Sequence, residues 1–184
     1  MPKTNAQLRR LWRDYECNET RLVRIPFGPD SIRVAAPAAE AFQRLAAIML
    51  RHGYDIRPAD TDSYNCRTIT GGKLKSLHAY GIALDINWQT NPYRDHPGTR
   101  PPRFSPKPTQ SERAADVAAG QADTDMTAAM IAEIEALTTV DGLRVFKWGG
   151  HFGTLKDAMH FELDVGPDEL ARGISPTDPT AAAA

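Results

Sequence analysis

The sequence predicts an α+β fold in which helices back a small antiparallel sheet. Apolar residues recur at helical spacing in residues 5–15, 38–51 and 127–137, the pattern of helices that bury one face. Residues 82–88 and 159–165 instead alternate apolar and polar side chains, as strands do when one face packs on a core. Helical and strand segments therefore alternate along the chain, and the polar faces of the strands remain available for chemistry.

Length and composition indicate one compact globular domain. The chain has 184 residues, of which 41% are hydrophobic and 24% are charged, and this length is enough to bury a substantial core. No apolar run reaches the ~18 residues of a membrane span, and residues 1–17 lack the apolar core of a secretory signal. The 22 basic and 23 acidic residues leave a net charge of -1, which argues against a general nucleic-acid binder.

Residues 1–35 are predicted to be an N-terminal helical extension packed on the domain. The helix at 5–15 carries Arg9, Arg10 and Arg13 opposite its apolar stripe. We interpret these arginines as a solvated helix face rather than as a basic binding patch.

A proline-rich insertion is predicted at about residues 89–125, inside a main domain of residues 36–170. Six prolines lie between residues 92 and 108, which predicts a long surface loop, partly disordered, with a helical turn at 114–119. The insertion could be a functional lid or a passive loop, and the composition leaves both open. Residues 171–184 are expected to form a flexible tail.

Two histidines from separate segments could share a metal ion with one carboxylate. His78 and Asp85 would lie ~23 Å apart in a fully extended chain, but Gly81 between them permits a bend. His160 lies on the polar face of the second predicted strand. If the two strands pair, the three side chains converge, and two imidazoles with one carboxylate suit a zinc site that leaves a position for water.

Asp157 lies three residues before His160. On a tight turn its carboxylate would stand beside the metal ligands and could act as a general base. Spacing alone, however, leaves two interpretations open, because a single histidine on a strand is more often an ordinary core or surface residue than a ligand.

Two linked motifs resemble a known family. Residues 76–87, SLHAYGIALDIN, resemble the SxHxxGxAxDxN signature of the zinc D-alanyl-D-alanine carboxypeptidases and L-alanyl-D-glutamate endopeptidases. Residues 148–152, WGGHF, and 157–162, DAMHFE, resemble the group's WGG…DxxHFE signature. The resemblance spans about residues 38–165 and implies a zinc peptidase catalytic domain with the fold of the D-Ala-D-Ala peptidases and of hedgehog, acting on bacterial peptidoglycan.

The resemblance also implies roles for individual residues. His78, Asp85 and His160 match the three zinc ligands, and Asp157 matches the catalytic base. Arg67 matches an arginine that contacts the substrate and stabilises the developing oxyanion, a role that suits a permanently charged guanidinium. A surface ion pair is the alternative for this arginine.

Other residues have two interpretations each. Ser76 is expected to hydrogen-bond near the site and contact substrate, or to be a plain turn serine. Trp148 could line the substrate cleft or pack beneath the glycine turn, and His151 could also line the cleft. Glu162 is expected to support a ligand imidazole. Of the two cysteines, which can form at most one bridge, Cys66 is interpreted as a small buried thiol.

The expected function is therefore zinc-dependent hydrolysis of peptidoglycan stem peptides. The aspartate at position 157 favours an L-alanyl-D-glutamate-type endopeptidase, as in phage endolysins. A D-Ala-D-Ala carboxypeptidase or dipeptidase is the enzymatic alternative, and a zinc-containing binding domain of the hedgehog type is the non-enzymatic one. We expect a monomer whose partner is its peptidoglycan substrate, and we expect it to bind no nucleic acid and to span no membrane. The protein is expected either to stay in the cytoplasm until lysis or to be exported by another route.

Overall fold

The structure, a computed structural model, describes residues 1–95, 100–153 and 155–175. Within these residues it has the predicted α+β architecture, with short strands distributed among helices. The α-helices are α1 (Asn5–Leu11), α2 (Ala39–Arg51), α3 (Gln110–Ala118), α4 (Ala128–Glu135) and α5 (Pro167–Leu170). The strands are β1 (Leu22–Phe27), β2 (Asp30–Ala35), β3 (Ala83–Asp85), β4 (Tyr93–Asp95), β5 (Phe146–Trp148), β6 (Leu155–Asp157) and β7 (His160–Leu163).

The central sheet is antiparallel, with strand order β3-β7-β5. The two strands predicted to pair do so, and Asp85 lies directly opposite His160 in the register. Strand β3 is shorter than the predicted segment 82–88, because Asn87 adopts a left-handed conformation (φ +49°) that turns the chain out of the sheet. Two further pairs, β1-β2 and β4-β6, form separate two-stranded sheets.

Helices back the sheet as the apolar patterns predict. The buried face of α2 carries Phe42, Leu45 and Met49, and the Phe42 ring meets the ring of Phe146 in β5 edge-to-face, with centroids 5.4 Å apart. Helix α2 packs against β1 and α4, and α4 packs against β5. The site-bearing strands therefore rest on a continuous apolar core.

The N-terminal segment is only partly helical. Helix α1 is fixed by buried Leu8 and Trp12, and the Trp12 indole N–H donates to the Val165 carbonyl at 2.9 Å. Residues 22–35, which we expected within a helical extension, form the hairpin β1-β2. Apolar residues alternate on both sides of Gly28, which takes φ +60° in the turn, so a hairpin signal was present in the sequence.

The described part of the proline-rich segment contains helix α3, which covers most of the helical turn predicted at 114–119 and extends it toward the N-terminus. Helix α3 begins after Thr109, which forms a reciprocal capping box with Glu112. The buried Arg113 then donates to the Asp125 carbonyl at 2.6 Å. Hydrogen bonds of polar side chains therefore stabilise this segment, which has few aliphatic residues to pack. Residues 96–99 lie outside the described residues.

The C-terminal residues 171–175 also contact the body of the protein. Ile174 is buried and forms an isolated β-bridge with Thr139, so the segment predicted as tail is attached at least to this point. Residues 176–184 of the predicted tail lie outside the described residues. No helix in the described ranges is both long and apolar enough to cross a membrane.

Candidate active site

His78 is presented by the short 3₁₀ helix Leu77–Tyr80. The Ser76 hydroxyl caps this helix by accepting the His78 backbone N–H at 3.4 Å. Gly81 ends it in the left-handed region at φ +68°, where an added Cβ would lie 2.6 Å from the Ala35 backbone nitrogen. The bend predicted at this glycine is confirmed, and no larger residue fits there.

The three predicted metal ligands converge. Asp85 ends β3 and His160 begins β7, and Asp85 Oδ1 lies 2.9 Å from His160 Nδ1. Asp85 Oδ2 lies 3.3 Å from His78 Nε2, which in turn lies 3.3 Å from His160 Nδ1. One donor atom from each residue lies within 4.8 Å of the other two. This arrangement can hold a divalent metal ion.

Outer hydrogen bonds fix which ring nitrogen of each histidine faces the group. His78 Nδ1–H donates to the Ser63 carbonyl at 2.5 Å, which leaves Nε2 free to ligate. His160 Nε2–H donates to Glu162 Oε2 at 3.1 Å, so Nδ1 is the ring nitrogen that faces Asp85 and His78. Lys147 Nζ lies 2.5 Å from the other oxygen of Glu162 and holds that carboxylate in place. Such partners orient imidazole ligands and raise their basicity, so the donor set fits zinc.

Hydrogen bonds within the group shift the pKa values of Asp85 and His160 away from their ordinary values. Burial raises the pKa of Asp85, but hydrogen bonds from His160 and His78 outweigh burial, and the pKa lies below its ordinary value. Burial lowers the pKa of His160, but hydrogen bonds to Asp85 and Glu162 outweigh it and raise the pKa to about 10. A metal ion that binds at His160 Nδ1 therefore displaces a proton.

Asp157 lies beside this group at the end of β6, where it pairs with Tyr93 of β4. Its carboxylate lines the same cleft as the three donors, and its Oδ1 is buried without a hydrogen-bond partner among the described residues. Burial is the main cause that raises the pKa of Asp157 above its ordinary value. Gly149 permits this placement, since an added Cβ would lie 2.2 Å from the Asp157 carbonyl oxygen. The carboxylate is thus placed to accept a proton.

The donors lie in a cleft with a volume of about 570 Å³. Arg67 and Ser76 both line this cleft. Arg67 is exposed, and its charge acts on Asp157 by lowering the pKa of that carboxyl, although burial dominates the net shift. Tyr93 and Phe152 form further parts of the wall, although no role in the site was predicted for either residue.

Trp148 packs beneath the glycine turn instead of lining the cleft, which corrects the substrate-binding interpretation. Its side chain is 1% exposed, and its indole N–H donates to the Ala158 carbonyl at 2.8 Å. An added Cβ on Gly150 would lie 2.2 Å from the Trp148 ring. His151 is exposed and pairs with Glu135 at 3.1 Å, away from the described cleft lining.

Cys66 is not a buried thiol, and that expectation is wrong. It is exposed and forms a disulfide with Cys17, with Cα atoms 5.1 Å apart. The bridge joins the N-terminal segment to the residue immediately before Arg67. Because the two cysteines are 49 positions apart, spacing alone could not reveal this contact.

The N-terminal segment also borders the cleft through α1, a contact that the sequence did not predict. Asn5 and Arg9 of α1 belong to the cleft lining. Spacing of i and i+4 places them on one helix face, but only the tertiary packing of α1 shows that this face borders the site. Arg9 is half-buried and lines the cleft, so the prediction of a solvated helix face does not hold for this residue.

An α+β fold that gathers two imidazoles and a carboxylate in an open cleft, with a second carboxylate beside them, has the features of a metal-binding hydrolase. A model of the D-alanyl-D-alanine carboxypeptidase family matches residues 70–163. The chain belongs to this family, and it is a peptidoglycan peptidase or carboxypeptidase. Comparisons with curated proteins and with solved structures gave no match.

Proposed function

We propose that the protein is a zinc metallopeptidase that cleaves peptidoglycan stem peptides as an L-alanyl-D-glutamate-type endopeptidase. The observation that carries this proposal is the convergence of His78, Asp85 and His160 beside the half-buried carboxylate of Asp157. A structural zinc site usually closes with four protein ligands, whereas a catalytic site has three and keeps a position open.

In this proposal His78 Nε2, an oxygen of Asp85 and His160 Nδ1 hold zinc, which supplies Lewis-acid polarisation when bound. Asp157 accepts a proton from the attacking water and returns it to the nitrogen of the leaving amine. Its lack of a hydrogen-bond partner at Oδ1 supports this role, since a base must have a free oxygen. Arg67 donates hydrogen bonds to the scissile carbonyl oxygen as negative charge develops there.

The aspartate at position 157 favours the endopeptidase over a D-Ala-D-Ala carboxypeptidase or dipeptidase, because the resemblance associates aspartate here with the endolysin-like branch. A non-catalytic binding domain of the hedgehog type is less well supported, because the chain keeps both Asp157 and Arg67 in the cleft. Such a domain would need neither a base nor an oxyanion-stabilising cation.

We also propose that the enzyme acts as a monomer at the cell wall, which it reaches after lysis or by export. The Cys17–Cys66 disulfide supports action outside the reducing cytoplasm, since disulfides persist mainly in oxidising surroundings.

Digestion of purified peptidoglycan, followed by mass spectrometry of the new termini, tests the function. We expect new D-glutamate amino ends with the zinc-loaded protein and none with Asp157→Ala. Released D-alanine would instead establish the carboxypeptidase. If no new terminus appears with zinc-loaded protein, the enzymatic proposal fails and the binding domain becomes the better account.

A further inference from the structure

Arg9 occupies a constrained position at the edge of the cleft. The packing of Leu8 and Trp12 fixes α1, and Arg9 Nε donates to the Lys75 carbonyl at 2.8 Å. Lys75 pairs with Thr68 in the loop that also carries Arg67. Arg9 and Arg67 therefore approach the cleft next to the same loop, one from α1 and one from the loop itself.

The outer nitrogens of the Arg9 guanidinium have no carboxylate partner in the part of the chain that the structure describes. Glu16, an acidic residue that follows α1, instead accepts a hydrogen bond from the Tyr80 hydroxyl at 2.6 Å. With Nε anchored, Nη1 and Nη2 can present the fork of donors that matches a carboxylate. Holding the side chain in place beforehand also reduces the entropy cost of binding.

We propose that Arg9 forms a subsite for a carboxylate of the substrate, and so determines specificity for acidic peptides. The inference rests on the proposed endopeptidase function. In that reaction the residue on the leaving side of the scissile bond is a D-glutamate linked through its γ-carboxyl. Its free α-carboxylate lies one carbon from the scissile nitrogen, and peptides in which this group is an amide lack the charge.

The anchoring bond to Lys75 gives Arg9 a second effect that the test must separate. Removal of Arg9 could displace the loop that bears Arg67, and this displacement would weaken the binding of every substrate equally. Loss of a carboxylate subsite, by contrast, weakens the binding of the acidic peptide and leaves the binding of the amidated peptide unchanged. A pair of peptides that differ only at the α-carboxyl therefore distinguishes the two effects.

The experiment uses L-Ala-γ-D-Glu-L-Lys-D-Ala with the α-carboxyl of glutamate free or amidated. Binding of both peptides to zinc-loaded Asp157→Asn protein is measured by calorimetry, with and without Arg9→Ala. We expect the acid to bind about tenfold tighter than the amide, and Arg9→Ala to remove that preference. Arg10→Ala is the matched control, because Arg10 is exposed on the same helix and is not among the cleft-lining residues.

Two results would overturn the inference. One is equal binding of acid and amide by the protein that retains Arg9, and the other is a preference that survives Arg9→Ala. Equal weakening of both peptides by Arg9→Ala would assign this residue to loop positioning alone, which also contradicts the subsite. Cleavage of either peptide by the wild-type protein is scored separately, so a protein that discriminates the peptides but cuts neither contradicts the proposed function and not the subsite.

Discussion

Asp85 and His160 face each other across strands β3 and β7, and their side chains meet with Oδ1 and Nδ1 2.9 Å apart. Two of the three candidate ligands are therefore positioned by backbone pairing in the central sheet. Strand-borne side chains are held more precisely than those on loops. His78 is the ligand that depends on a turn, and the left-handed Gly81 makes that turn possible.

Asp157→Asn should abolish most hydrolysis without removing the metal site. Asparagine keeps the size of the side chain but cannot accept the proton, and loss of a general base typically lowers the rate by 10²–10⁴-fold. Turnover of a stem peptide and zinc content should be measured on the same preparation. Retention of more than about half of the wild-type rate would contradict the assignment of Asp157 as the base.

Glu162→Gln should weaken zinc binding although Glu162 is not itself a proposed ligand. The amide loses the charge that now supports His160 Nε2–H at 3.1 Å, and loss of such a partner typically costs about 10–100-fold in affinity. Competition with a zinc chelator measures the change. Glu135→Gln is the matched control, because Glu135 pairs with His151 outside the cleft. Equal effects of the two substitutions would contradict the role of Glu162.

Replacement of Cys17 and Cys66 by serine should lower the free energy of unfolding by about 2–4 kcal/mol, because the bridge restrains a long loop in the unfolded chain. Urea unfolding of the oxidised wild type and the double variant measures this. Since Cys66 precedes Arg67, we also expect a lower kcat/KM for stem peptides with unchanged zinc content. If the variant were as stable and as active as the wild type, the bridge would neither restrain the unfolded chain nor help to position Arg67.

Stability should fall at acid pH through Asp123. Burial raises the pKa of Asp123, but hydrogen bonds and charge from Arg103 outweigh it, so the folded pKa lies below the ordinary value. In the unfolded chain the carboxyl binds a proton near its ordinary pKa of about 3.9. Below that pH the unfolded state binds more protons than the folded state, so the free energy of unfolding decreases as the pH falls.

Asp123→Asn removes this contribution. The stability advantage of the wild type over the variant should be full above about pH 5 and should shrink as the pH falls below about 4. Urea unfolding at pH 6 and pH 3 provides the comparison. An advantage that stays constant or grows toward acid pH would contradict a depressed pKa for Asp123.

Much of the site could be predicted from the sequence because its ligands lie on regular elements. The alternation in β7 placed His160 and Glu162 on one face, and antiparallel pairing with β3 then determined the position of Asp85. The apolar stripe of α2 likewise predicted its buried face.

The features that the sequence did not predict depend on tertiary contacts. Nothing local shows that Arg9 borders the cleft or that Cys17 meets Cys66, because both contacts depend on how the N-terminal segment packs, which Trp12 helps to fix. Helix α3 is a different case, since its capping residues Thr109 and Glu112 are a local signal, but the prolines before them led to the prediction of a loop.

Zinc affinity of His78→Ala, compared with His52→Ala, tests the central assignment most directly. His52 pairs with Glu133 at 2.6 Å outside the cleft, so its loss should leave the metal site intact. After equilibrium dialysis against limiting zinc, elemental analysis should find one zinc per chain in the wild type and in His52→Ala, and little in His78→Ala. Equal zinc content in all three proteins would contradict a metal centre built from His78, Asp85 and His160.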